Sequence, residues 1–211
     1  MTIVFYDYSR APNPRRARMA LVEKNVDHET VTIDLAEREQ MSDAYRAINP
    51  RCTIPALKLE DGTVLCDNHG ILAYLEAAYP EPPLLGRTPV EKADVASWHA
   101  RIEFEGLMSV AEALRNSSPF MKDRAITGPV NYAQIPELAE RGLARIDQFY
   151  DMFNDHLAGR EYIVGDHFTV ADIIAVCTVD FAAIVKKRPG EAHPEILRWR
   201  SALDARPSVK A

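Results

Sequence analysis

Residues 52–57 read Cys-Thr-Ile-Pro-Ala-Leu, and ten residues after Leu57 the chain reads Asp67-Asn68. Pro55 stands inside an apolar, strand-like stretch. Its missing N–H excludes it from a central ladder and puts Ile54-Pro55 at a sheet edge or a turn. The backbone of Ile54 is then left to bond something other than its own sheet. Holding an X-Pro bond cis costs only about 0.5–1 kcal/mol, against roughly 3–4 for other residues. Pro55 taken alone fits either a cis edge or an ordinary trans turn; its surroundings decide.

Outward from Pro55, the first 80 residues alternate in a definite order. Residues 2–7 are apolar and β-rich. Residues 13–25 set Ala17, Ala20 and Leu21 among Arg15, Arg16, Arg18 and Lys24, the spacing of an amphipathic helix. Residues 28–34 alternate as a second strand, closing a βαβ unit whose crossover is expected to be right-handed. A polar helical stretch, 39–47, leads to Asn49-Pro50. Residues 56–59 and 63–66 flank Glu60-Asp61-Gly62, a hairpin signal with Asp-Gly at the turn. Residues 70–79 then read as a helix with Ile71, Leu72, Leu75 and Tyr79 on one face. The order β-α-β-α-β-β-α, with Pro55 heading the third strand, resembles a thioredoxin-like domain carrying a cis-proline.

From Pro80 the composition changes. Pro80, Pro82, Pro83 and the 86–89 stretch make a stiff, helix-breaking connection, read as a linker over 81–89 between a domain of 1–80 and one of 90–211. Residues 90–115, 136–157, 170–187 and 195–205 all carry helical spacing, so the second domain is expected to be an all-α bundle. Thr169 followed three residues later by Asp172 is a helix-start pattern like a capping box. The helix it opens is nearly all apolar and is expected to cross the core, which makes Asp172 structural.

Taken together, Ser9–Arg18 (Ser-Arg-Ala-Pro-Asn-Pro-Arg-Arg-Ala-Arg), Asn49-Pro50, Ile54-Pro55, Asp67-Asn68 and the 168–172 helix start carry a resemblance over essentially the whole chain. It resembles the cytosolic glutathione S-transferase superfamily, and in detail a bacterial branch with Ala-Pro-Asn at the first helix. The resemblance implies glutathione as cosubstrate, with no metal, and a homodimer acting in detoxification.

Composition is consistent with this. A chain of 211 residues suits one or two domains with a well-buried core. The net charge of −6 and the lack of basic runs beyond Arg15-Arg16 and Lys186-Lys187-Arg188 argue against a nucleic-acid partner. No leader pattern opens the chain and no apolar run reaches membrane-spanning length, so a cytoplasmic protein without a membrane partner is expected. Cys52, Cys66 and Cys177 are widely spaced and suggest neither a zinc site nor a disulfide framework.

Glutathione is an anionic tripeptide, and binding it needs an edge, a polar cradle and a group near its sulfur. The backbone of Ile54, held by Pro55, supplies the edge by strand-like pairing. Asp67-Asn68 lies just before a helix, whose free N–H groups favour a carboxylate. The resemblance gives this turn an acid-serine pair for the γ-glutamyl end; Asp67 matches the acid, and Asn68 stands where Ser is usual. A plain helix cap is the simpler reading of the same pair. At the sulfur the family uses Tyr, Ser or Cys. Aligning Ala-Pro-Asn puts Asn13 there first and Ser9 second, although either residue equally suits a cap of the first helix. An amide N–H donates to a thiolate but cannot relay a proton. Arg15, Arg16 and Arg18 cluster on that helix; a solvated face is the reading for any single one, and one of the three facing the anionic ligand is the alternative. The second-substrate pocket is expected along the 90–115 helix at Trp98, Arg101, Ile102, Glu105 and Met108, with Phe104 beside them.

The reaction expected is conjugation of the glutathione thiolate to a small electrophile. Two other readings are a glutathione-dependent disulfide reductase or peroxidase, and a non-catalytic ligand- or partner-binding module. Cys52 and Cys66 flank the expected site; buried, inert sulfur is the ordinary role of a strand-end Cys, and mixed-disulfide chemistry is the alternative.

Overall fold

Strand β1 (Val4–Asp7) is followed by helix α1 (Pro12–Glu23), strand β2 (Glu29–Thr32) and helix α2 (Asp43–Arg46). Strands β3 (Ala56–Lys58) and β4 (Val64–Leu65) and helix α3 (Asn68–Ala78) complete the first unit. These elements come from a computed structural model that describes residues 2–211. The sheet order is β2-β1-β3-β4, with β1 and β2 parallel and the β1–β3 and β3–β4 pairs antiparallel. This is a thioredoxin-like sheet, and the Ile54-Pro55 bond that precedes β3 is cis.

The pleat sends alternate residues to opposite faces. On one face Tyr6, Ala56 and Ile33 meet Ile54 and the α2 residue Tyr45, with Tyr8, Ala11 and Val31 packed against them. The register partners Phe5 and Leu57 are fully buried on the other face. Helices α1 and α3 pack on one another through Met19, Ala20, Leu21, Ile71, Leu72 and Leu75, all buried. The buried ammonium of Lys24, at the end of α1, donates to Glu76 on α3 and to the Pro82 carbonyl, each at 2.6 Å.

The β3–β4 turn follows its sequence. Gly62 takes a φ of +90°, which only glycine adopts readily, and Asp61 Oδ1 accepts from the Thr63 N–H. The 39–47 helix is interrupted. A 3-10 turn (Glu39–Met41) gives way to α2 because Ser42 is itself a cap, its hydroxyl accepting from the Tyr45 N–H.

Contacts divide the chain into a first unit of residues 1–82 with 127–130 and 211, and a second of 83–126 with 131–210. Helices α4 (Pro89–Arg101), α5 (Met108–Ser117), α6 (Pro136–His156), α7 (Val170–Phe181), α8 (Pro194–Ala202) and α9 (Pro207–Lys210) build the second. Thr88 and Glu91 form a full capping box at α4, and Thr169 and Asp172 another at α7. Every residue of α7 from Val170 to Val179 is buried, as expected of a core-crossing helix. Phe149 stacks on Phe153, and Phe153 meets the fully buried Trp199 edge-on.

The long 90–115 helix is not continuous. A π-helical turn (Ile102–Leu107) separates α4 from α5. Gly106 lies within it, and a Cβ there would sit 2.9 Å from the Thr178 methyl and 3.0 Å from the Phe149 ring. The missing side chain is what admits that approach. Helices α5 and α6 meet as closely at Gly142, where a Cβ would stand 2.7 Å from the Ser109 carbonyl and the Ala113 nitrogen. The 170–187 helix likewise ends early. It becomes a 3-10 turn after Phe181 and stops at Lys186, which takes a left-handed φ of +60°.

Candidate functional site

One end of the sheet gathers the residues singled out in the first unit. Tyr6 pairs with Ala56, so the same register carried two residues further sets Tyr8 opposite Ile54. Leu57 pairs with Leu65, and carrying that register on sets Asp67 opposite Pro55. The chain leaving β1, the chain entering β3 and the start of α3 therefore share one edge. Ala11, at the start of α1, packs against the cluster that contains Ile54.

The entry to β3 is built by Asn49, which is fully buried. Its Nδ2 donates to the Thr53 carbonyl at 2.7 Å, and its Oδ1 accepts from the Arg51 N–H at 3.0 Å. The buried Tyr45 hydroxyl donates to the same Thr53 carbonyl, and burial pushes its pKa up. Cys52 takes a φ of +53°, a left-handed conformation that suits glycine better. After this braced loop, Ile54 makes no backbone hydrogen bond among the described residues. Its N–H and C=O are free for an added strand-like partner.

Asp67 is the N-cap of α3, and its Oδ1 accepts from the Gly70 N–H at 2.8 Å. The helix thus begins two residues earlier than its apolar spacing indicates, and Asn68 is its first residue, not its cap. Capping engages only one oxygen of Asp67. Asn68 is buried, and its Oδ1 has no partner among the described residues. A buried acceptor left unpaired costs about 1–3 kcal/mol, so this oxygen favours a hydrogen-bond donor beside it.

At α1 the cap reading fails for both proposed residues. The N-cap is Ala11, which makes no side-chain cap bond. Ser9 lies exposed in the preceding turn, closed by the Ala11 N–H donating to the Tyr8 carbonyl. Asn13 is the second helical residue, between Pro12 and Pro14. A helix normally opens with four unpaired N–H groups. Here the two prolines have none and Arg15 N–H reaches the Ala11 carbonyl, so Asn13 holds the one free backbone donor of the first three residues. Its side-chain Oδ1 accepts from Arg16 Nη2 at 2.9 Å, leaving the amide NH2 as a second donor.

Two of the three arginines of α1 are not on a solvated face. Arg16 is buried, and Arg18 pairs with the buried Asp7 at the end of β1. Sequence reasoning named the arginine cluster without choosing among its members; the signal for Arg16 is its i, i+3 spacing from Asn13.

Cys66 is half-buried, and its thiol is pushed up by burial and then by the Asp67 carboxylate beside it. It is a poor nucleophile there. Cys52 is buried and points its thiol at the Pro50 carbonyl.

In the helical unit, the Trp98 and His156 rings lie against each other with centroids 3.7 Å apart, and the Arg101 guanidinium lies 5.3 Å from the centre of the Trp98 ring. Arg101 also pairs with Glu105 at 3.5 Å. Ile102 is fully buried, and Met108 and Phe104 are exposed beyond the π turn and within it. The five positions therefore do not form one surface: three are bound to each other, one is core, and one is open. No described helix is long and apolar enough to cross a membrane.

Comparison with known proteins gives a consistent result. The family profile "Glutathione S-transferase, N-terminal domain" matches residues 11–78, and "Glutathione S-transferase, C-terminal domain" matches 117–207. Glutathione S-transferase 2 of Saccharomyces cerevisiae is 33% identical over 99% of this chain and 88% of its own. A probable maleylacetoacetate isomerase 1 of Drosophila melanogaster is 30% identical over 99% of this chain and 80% of its own. The crystal structure of a glutathione S-transferase domain-containing protein from Marinobacter aquaeolei superposes with a TM-score of 0.87. It has 32% identity and covers 98% of this chain and 99% of that one.

Proposed function

Since the chain belongs to the glutathione S-transferase family, we propose that it binds glutathione at the shared sheet edge and transfers the thiolate to a small electrophile. The observation that carries the reading is the isolation of Asn13 between two prolines with two free N–H donors. A thiol has a pKa near 8.5 in water, and donors aimed at the sulfur favour the thiolate. Ile54 supplies backbone pairing to the cysteinyl part of the peptide. The second oxygen of Asp67 suits the γ-glutamyl ammonium, and the unpaired Oδ1 of Asn68 is a further acceptor for it. In the transfer, the sulfur lone pair forms the new bond to the electrophilic carbon and the leaving group departs with its electrons. The thiol proton goes to water, because an amide takes none.

Ser9 is the second choice at the sulfur and is disfavoured by its place in the exposed turn. Disulfide reduction is the second reading of the whole site, favoured by the same amide: the thiolate needs only a donor there, and no proton relay. A homodimer in the cytoplasm, handling electrophiles in detoxification, follows by family analogy.

Calorimetric titration with reduced and then oxidised glutathione, repeated on Asn13→Ala, tests this. Binding of the reduced form, with turnover of an electrophile lost in the variant, is the result expected. Tighter binding of the oxidised form supports the reductase instead. Absence of heat with either form overturns both and leaves a non-catalytic binding module.

A further inference from the structure

Asn13, half-buried in the first turn of α1, stands between two prolines that have no N–H to offer its amide. One turn on, Arg16 is only 4% exposed and donates from Nη2 to Asn13 Oδ1. A guanidinium carries five donors and no acceptor, so only the oxygen end of the amide can face it. Turning the amide over would set N–H against N–H in a closed space. The pair therefore decides which end of Asn13 points away from Arg16, and it is the NH2. A charged donor on the carbonyl oxygen also polarises the amide and strengthens its N–H as a donor.

We propose that Arg16 is a positioning residue for the thiolate: it touches no substrate, and it holds Asn13 with its amide hydrogens toward the sulfur. This rests on the reading of Asn13 as the sulfur's donor. Without Arg16 the two amide orientations approach equal weight, and one of them presents an oxygen to an anion. Arg16 thus acts through Asn13 and has no effect on the sulfur once that amide is gone.

The test is a double-mutant cycle read on the thiol of bound glutathione, titrated by the ultraviolet absorbance of the thiolate. Four proteins are compared at saturating glutathione: the parent, Asn13→Ala, Arg16→Met and the double variant. A hydrogen bond to a charged group contributes about 1.5–3 kcal/mol, or about one to two pH units in such a midpoint. Asn13→Ala and Arg16→Met are each expected to raise the midpoint by about one unit, a tenfold loss of thiolate. The double variant is expected to rise no further than Asn13→Ala alone. An unmoved midpoint in Asn13→Ala overturns the reading of Asn13 itself. A shift in Asn13→Ala with none in Arg16→Met overturns only the role of Arg16. So does an Arg16→Met shift that persists undiminished in the Asn13→Ala background, which is the behaviour of a distant charge. Arg16→Gln pairs with either end of the amide and is less disruptive to a buried site; it carries the same expectation if Arg16→Met folds poorly.

Discussion

Replacing Asp172 tests the core of the helical unit on a quantity that changes with pH. Its Oδ1 accepts from the Ile163 N–H at 3.1 Å and from Trp199 Nε1 at 3.2 Å. Its Oδ2 faces the Thr169 N–H at 3.0 Å and the Thr169 hydroxyl at 3.2 Å. Asp172→Ala strands three buried N–H donors, each costing about 1–3 kcal/mol. Against that stands the desolvation of the carboxylate, which pushes its pKa up to about 6 in spite of those hydrogen bonds. The folded protein therefore holds this proton more tightly than the unfolded chain does. The contribution of Asp172 is full below about pH 4 and is lost as pH rises through about 6. That loss is about 3 kcal/mol by pH 7, from a shift of about two units. Asp172→Ala should accordingly cost about 3 kcal/mol at pH 7 and about 2 kcal/mol more at pH 4. Urea unfolding of parent and variant at both pH values, followed by circular dichroism, measures it. Asp172→Asn keeps one acceptor oxygen, resembles the protonated acid, and should be the milder change at both. A cost below about 1 kcal/mol, or one that shrinks toward pH 4, refutes the reasoning.

Three further outcomes follow from geometry already described. Asp67→Ala should cost about 1 kcal/mol of stability through the lost cap and should weaken glutathione binding; Asp67→Ser should recover the stability in a thermal melt but not the affinity measured by calorimetry. Gly142→Ala sets a methyl against the backbone of α5, so it should lower stability by about 1–3 kcal/mol in a denaturant titration, although alanine is the better helix former. Burial lowers the pKa of His156 below its ordinary 6.5, so its neutral form belongs to the fold and proton uptake opposes the fold as pH falls through that lowered value. Because the ring stacks on Trp98, tryptophan fluorescence should titrate with a midpoint below pH 6.5, and His156→Phe should abolish the step.

The features legible in the sequence are those set by local chemistry. Asp61-Gly62 forms its turn because one residue must take positive φ, and Pro55 heads its strand because it has no N–H to give. Thr169 and Asp172 cap α7 because both partners lie within one turn. The Asp67 and Asn68 roles came out one residue displaced, since apolar spacing marks where a helix is buried and not where its first N–H is satisfied. Ser42 carried a cap signal that the polar run around it concealed. The burial of Arg16 and the π turn were beyond local reading. A buried arginine looks like a solvated one until its neighbours are known, and a glycine in a helix acquires its meaning from the ring it admits.

The π turn has a further effect on the long helix that contains it. One extra residue in a helical turn sets everything downstream back by about 100° relative to an unbroken α-helix. Val95 and Ala113 are both buried and eighteen residues apart, so an unbroken α-helix would set them on one line; across the π turn they face directions about 100° apart. An uninterrupted helix would present one continuous apolar line, whereas here α4 packs against α7 and α5 against α6. The apolar stripe of this segment is therefore two stripes, joined by the only stretch of backbone wide enough to switch between them among the described residues.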